Sequence, residues 1–102
     1  MEPISWNQDL DGHLSETTMW RKLEALGYRV SCYVYPPGTV FSTHSHSVDK
    51  IDGVLAGCFR MSMHGQSVLL QAGDMLEVPQ GVLHSAEVVG DDPVVSLDAV
   101  RT

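Results

Sequence analysis

The stretch Gly38-Thr39-Val40-Phe41-Ser42-Thr43-His44-Ser45-His46-Ser47-Val48-Asp49-Lys50-Ile51-Asp52-Gly53-Val54-Leu55-Ala56-Gly57 decides how the rest of the chain is read. Two histidines two residues apart on extended backbone project from one face, because side chains alternate across a strand. A second stretch, from Gly73 through Pro79 and Gly81, ends on a third histidine, His84. His84 can meet His44 and His46 only if the sheet folds over on itself. Three imidazoles converging inside a barrel make a site for a divalent transition metal.

Outward from these stretches the hydrophobic period is two. Val30, Cys32 and Val34 alternate with Arg29, Ser31 and Tyr33, and Phe59, Met61 and Met63 alternate with Arg60, Ser62 and His64. Pro36-Pro37-Gly38, His64-Gly65-Gln66, Ala72-Gly73-Asp74 and Gly90-Asp91-Asp92-Pro93 punctuate the runs as turns. About eight short strands follow, over 28–35, 40–46, 51–56, 59–63, 67–71, 75–78, 83–89 and 94–100, which is the spacing of an all-β sandwich or barrel. Gly73 and Gly81 fall where the chain needs positive φ or a close backbone approach, and Pro79 sets the turn that aims His84 inward.

The chain before Tyr28 differs. Residues 1–14 read as an irregular arm with a short edge strand near Ile4 and Trp6. Ser15 then offers its hydroxyl as a helix N-cap, and Leu14 and Met19 hold the staple positions. Met19, Trp20, Leu23 and Leu26 recur at helical spacing before Gly27, so one amphipathic helix is expected over 16–26. The expected plan is a single domain over 1–102, with the arm and helix in 1–27 and the β-barrel in 28–102.

Composition bounds the partners. In 102 residues, thirteen acidic groups against six basic ones give a net charge of −7. That balance argues against nucleic acid and anionic lipid, both of which need a basic face. Cys32 and Cys58 lie in strand-like runs and read as reduced, buried thiols. The N-terminus has neither the basic start nor the apolar run of a secretory signal, and no segment reaches the roughly 20 apolar residues of a membrane span. A cytoplasmic protein is the expectation.

The two stretches together resemble the cupin family. The first cupin motif is G-x5-HxH-x3,4-E-x6-G; Gly38, His44, His46 and Gly57 match it, and Lys50 stands where the family has glutamate. The second is G-x5-PxG-xx-H-x3-N; Gly73, Pro79, Gly81 and His84 match it, and Val88 stands at the asparagine. Fifteen residues lie between Gly57 and Gly73, as in compact microbial cupins. The resemblance implies a small double-stranded β-helix, or jelly roll, with His44, His46 and His84 as metal ligands and barrels paired as homodimers. The strand over 28–35, or the arm, is the expected seam. The metal is left open among Fe, Zn, Ni, Co, Cu and Mn, because imidazole suits them alike.

Parity along the first stretch places Val48, Lys50, Asp52, Val54 and Ala56 on the face of the histidines and turns Asp49 away. Lys50 and Asp52 are the candidate catalytic groups, with Tyr33 or Tyr35 the other reactive side chains nearby. An ammonium about 5 Å from a dication, at an effective dielectric near 20, costs about 6–7 kcal/mol. Lys50 is therefore expected to swing away, pair with Asp49 or Asp52, and leave a metal position open, where it could attract an acidic ligand. Phe59, Met61, Met63, Leu76 and Val88 are expected to line the pocket, an apolar wall suited to a small organic molecule. His13 and His64 fall outside both motifs. Two readings of function stay open. One is a metal-dependent enzyme whose three-histidine set resembles that of cupin dioxygenases acting on thiols or diketones. The other is a non-catalytic binding or sensing module, with or without a metal.

Overall fold

A computed structural model describes residues 1–102 and shows two antiparallel sheets facing each other. The elements are β1 (Ile4–Ser5), α1 (Gln8–Asp11), α2 (Glu16–Ala25), β2 (Tyr28–Tyr35), β3 (Val40–His44), β4 (Lys50–Ala56), β5 (Phe59–Met63), β6 (Gln66–Leu70), β7 (Asp74–Val78), β8 (His84–Val88) and β9 (Val94–Arg101). One sheet has the order β1-β7-β4-β9-β2 and the other β3-β8-β5-β6. This is the jelly roll expected from the two motifs. The expected edge strand of the arm is β1, paired with β7 through Ile4 and Met75.

The alternation in β4 and β9 feeds two separate cores. Ile51, Leu97 and Ala99 point outward with Val30 and Met75 and are covered by Met19 and Leu23 of α2. Val54 and Val94 point inward and join Phe59, Met61, Met63, Leu70, Leu76, Val78, Ala86 and Val88 between the sheets. Helix α2 is held in register by its first turn: Ser15 accepts from the Thr18 N–H, and the Thr18 hydroxyl accepts from the Ser15 N–H. Such a cap contributes about 1 kcal/mol. Burying Met19 and Leu23 completely contributes about 1.5–3 kcal/mol each.

The expectation of a single N-terminal helix is corrected. A four-residue helix, α1, precedes α2, because the Asn7 side chain accepts from the Asp9 and Leu10 N–H groups. Lys22 of α2 reaches back to Asp11 at 2.7 Å and ties the two helices together. No helix is long and apolar enough to cross a membrane.

Gly57 has a mechanical reason for its place in the first motif. Its φ is +83°, and an added Cβ would collide with the Pro93 carbonyl, so the loops at the ends of β4 and β8 close tightly only with glycine there. Gly73 and Gly81 also have positive φ, as expected.

Candidate metal centre

His44 ends β3 and His84 begins β8, and the two are register partners across the antiparallel pair. His46 follows β3 on a loop. Its carbonyl accepts from the Gly81 N–H at 2.9 Å, so the turn that delivers His84 also fixes the backbone of His46. The two histidine stretches, nearly 40 residues apart in sequence, are thereby locked together by backbone contacts at both ends.

The result is a cluster in which one ring nitrogen from each of His44, His46 and His84 lies within 4.8 Å of the others. Ring centroids are 4.9 Å apart for His44 and His46, 4.3 Å for His44 and His84, and 5.1 Å for His46 and His84. Nδ1 of His44 is 2.6 Å from the Ser42 carbonyl, and Nδ1 of His84 is 2.9 Å from the Val82 carbonyl. A carbonyl accepts only, so each Nδ1 carries the proton and donates it, leaving Nε2 with a free lone pair. This second contact orients a ligating imidazole and raises its basicity. His84 is 4% exposed. Burial, joined by the charges of Lys50 and the other two imidazoles, holds His46 below the usual imidazole range. Burial outweighs the Val82 contact and lowers His84 as well. Neutral imidazoles are the form that binds metal. The donor set fits a divalent transition ion with positions left for other ligands.

The cluster opens into a cavity of about 350 Å³ between the sheets, lined also by Tyr33, Tyr35, Phe41, Lys50, Asp52, Phe59, Met61, Ala86 and Asp98. A groove of about 360 Å³ on the outer face of the four-stranded sheet carries only Arg60 and Glu87 as charged groups, and these pair at 2.6 Å. Of the residues expected on the pocket wall, Phe59 and Met61 face the cavity. Met63, Leu76 and Val88 are buried in the apolar cluster between the sheets and are not among the residues that line the cavity. His13 bonds Gln8 on the surface, and His64 sits in the β5–β6 turn at φ 55°; neither joins the cluster.

Lys50 does leave the histidines, but for a partner the sequence reading missed. Its ammonium lies 2.5 Å from Oδ1 of Asp98 and 4.0 Å from Oδ1 of Asp52. Asp49 is corrected as a candidate partner: its carboxylate accepts from the Gln80 N–H at 2.8 Å, on the far side of the strand. Asp98 was hidden because it sits on β9, beyond both motifs. Asp52 and Asp98 are register partners, and Lys50 is diagonal to Asp98 on the same face. The available signal was Ser96 and Asp98, two polar residues on one parity of an otherwise apolar run. Phe41 was missed for a different reason. Strict alternation cannot put Phe41 and His44 on one face, but the register shifts between them.

Burial pushes the Asp52 carboxyl up to about 7; the Lys50 ammonium opposes the rise and Asp98 adds to it. Burial, with the Asp98 and Asp52 charges behind it, pushes the Tyr35 phenol well above its ordinary range. Tyr35 stacks on Phe59 at 5.6 Å and meets Phe41 edge-on at 4.9 Å. One wall of the cavity is thus aromatic and another is a cluster of one ammonium and two carboxyls, of which Asp52 is buried and Lys50 and Asp98 are half-buried.

A jelly roll with three convergent histidines at its mouth defines a class of small β-barrel proteins, and the three histidines could hold a metal ion. The family model for the cupin domain matches residues 32–100, and the chain belongs to that family. It is 32% identical over 72 residues to nitrosourea synthase from Streptomyces achromogenes subsp. streptozoticus; the match covers 70% of this chain and 15% of that protein, a small part of its length. Among solved structures, KdgF from Halomonas sp. superposes with a TM-score of 0.65 at 25% identity, covering 74% of this chain and 70% of that one. A cupin-like protein from Thermotoga maritima superposes with a TM-score of 0.66 at 26% identity, covering 74% of this chain and 57% of that one.

Proposed function

We propose that the chain is a metal-dependent cupin enzyme that oxidises a small organic molecule with O2, using iron(II) held by His44, His46 and His84. The observation that carries this reading is the convergence of His44, His46 and His84, with Nδ1 of His44 and His84 turned to backbone carbonyls and burial disfavouring charge on His46 and His84. With no carboxylate in the set, the bound ion would supply Lewis acidity and sites for both substrate and oxygen. The chain's own residues do the rest. Tyr35, Phe41 and Phe59 hold the ligand's apolar body and exclude water. Asp52, titrating near 7, holds a proton on its carboxyl within the cavity and can pass it to or take it from the ligand. Lys50 positions Asp98 and keeps its ammonium off the imidazoles. The similarity to part of a nitrosourea synthase supports an enzymatic reading.

The free thiols Cys32 and Cys58 suit a reducing cytoplasm, where iron(II) is available. In this reading residues 1–102 act as one domain, and two copies pair through β2, the open edge of the five-stranded sheet, whose exposed Tyr33 and Val34 would be covered. The anionic ligand expected from Lys50 loses its support once Asp98 takes the ammonium.

The test is metal analysis of protein purified without a histidine tag, followed by oxygen uptake of the iron(II)-loaded protein against a panel of small thiols and diketones. Uptake that His84→Ala abolishes supports the enzyme. Tight ligand binding without uptake overturns it in favour of a binding or sensing module.

A further inference from the structure

We propose that Asp49 is the positioning residue of the histidine cluster: its carboxylate ties the turn that carries His84 to the loop that carries His46. This rests on the reading of the three histidines as the working site. Asp49 touches none of them and acts through the backbone. The turn is Pro79-Gln80-Gly81-Val82, closed by the Val82 N–H on the Pro79 carbonyl at 3.2 Å. Gly81, with φ +78°, holds its third position. Such a turn uses only its last N–H internally, so the N–H groups of Gln80 and Gly81 need partners outside it. Both find them on one short segment. The Gln80 N–H donates to Oδ1 of Asp49 at 2.8 Å, and the Gly81 N–H donates to the His46 carbonyl at 2.9 Å.

The tie reaches two of the three histidines. Val82, the last residue of the turn, offers its carbonyl to Nδ1 of His84 at 2.9 Å, so the place of the turn sets the direction of that ring. On the other side, the Gly81 bond fixes the backbone of His46. Packing contributes little here. Pro79, Gln80 and Gly81 are exposed, and so are Ser47 and Val48 between His46 and Asp49. Hydrogen bonds therefore decide where the turn sits. Asp49 is itself held in place: its carbonyl accepts from the Arg101 N–H at 2.9 Å, and Lys50 after it pairs with Val78 and Val100 in the sheet. A carboxylate accepting from an N–H makes a stronger bond than a neutral carbonyl does. Water also satisfies an exposed N–H, but only a group fixed to the sheet sets its position.

The experiment compares the parent with Asp49→Ala, Asp49→Asn and Ser15→Ala, each as the full chain, with circular dichroism as the folding control. Amide hydrogen exchange of the metal-free protein is read at Gly81 by NMR. Asp49→Ala should speed exchange there about tenfold, although Gly81 keeps its own acceptor. Asp49→Asn, whose amide oxygen still accepts, should stay within about threefold of the parent. Cobalt(II) titration should show about tenfold weaker binding in Asp49→Ala with a changed visible ligand-field spectrum, both restored in Asp49→Asn. Ser15→Ala, at the start of α2, lowers stability and should leave both readings at the parent's values, which separates positioning from a general loss of stability. If Asp49→Ala unfolds, Asp49→Glu takes its place: it keeps the charge, moves the acceptor by one methylene, and should weaken cobalt(II) by about threefold. Unchanged Gly81 exchange in Asp49→Ala, or cobalt(II) bound by these two variants as tightly as by the parent, overturns the inference. So does an Asp49→Asn as damaging as Asp49→Ala, because charge rather than the hydrogen bond then matters. A parent that binds no cobalt(II) while Gly81 exchange still follows Asp49 sinks the metal centre alone. Cobalt(II) bound equally with and without the Asp49 carboxylate sinks the inference alone.

Discussion

Strands β4 and β9 present two faces made from alternate residues of the same chain, and the two could hardly differ more. The outer face, Ile51, Leu97 and Ala99, is apolar throughout and sealed by Met19 and Leu23. The inner face carries Val54 and Val94 at one end and Lys50, Asp52, Ser96 and Asp98 at the other. The outer face has what folding asks of a sheet. The inner polar end has groups that folding does not ask for, since an apolar set of the same volume would be as stable or more so. The difference separates the part of the molecule that holds the barrel together from the part that meets a ligand.

Four substitutions break or sharpen that contrast, from the largest effect to the smallest. His84→Ala, at the inner mouth, should abolish cobalt(II) binding, a loss of about 100-fold or more by titration, with the fold retained by circular dichroism. In the parent, loading should be lost on acidification. Because burial holds His46 and His84 below the usual range, that loss should fall below about pH 6.5 rather than at it. Leu97→Ala, on the outer face, should cost about 2–4 kcal/mol in urea denaturation and leave cobalt affinity of the folded protein unchanged. Loss of cobalt affinity there would mean the faces are not independent.

Asp52→Asn tests the inner face through pH. In the folded chain this carboxyl titrates near 7, against about 4 when unfolded, so the folded state holds the extra proton between those values. Its contribution is most favourable below about pH 4, is lost as pH rises through 7, and is flat above. Denaturation of the metal-free protein from pH 4 to 8 should show this fall in the parent, and Asp52→Asn should flatten it. An equally steep fall in the variant would place the titration elsewhere. Ser15→Ala, at the start of the covering helix, should cost only about 1 kcal/mol and leave the cavity untouched.

Most of the barrel was legible because its rules are local. A period of two marks the strands, Gly-Pro punctuation marks the turns, and Ser15 marks the start of α2. The short helix α1 was not legible, since four residues carry no periodicity and only Asn7 announces it. The histidine set was legible because His44, His46 and His84 sit in spaced motifs. Phe41 was not, because a register shift breaks the alternation on which parity depends.

The charged end of the cavity marks the division between sequence and tertiary structure. By itself the sequence determined the strands, the faces and the convergence of the histidines, because side-chain alternation and turn chemistry act between neighbours in the chain. It could also say that an ammonium at position 50 would not stay beside a metal. Which carboxylate received Lys50 was decided only when β9 came to lie between β4 and β2, setting Asp98 opposite Asp52 and diagonal to Lys50. Pairing between strands more than 40 residues apart is fixed by the packing of whole sheets, and no local pattern encodes it.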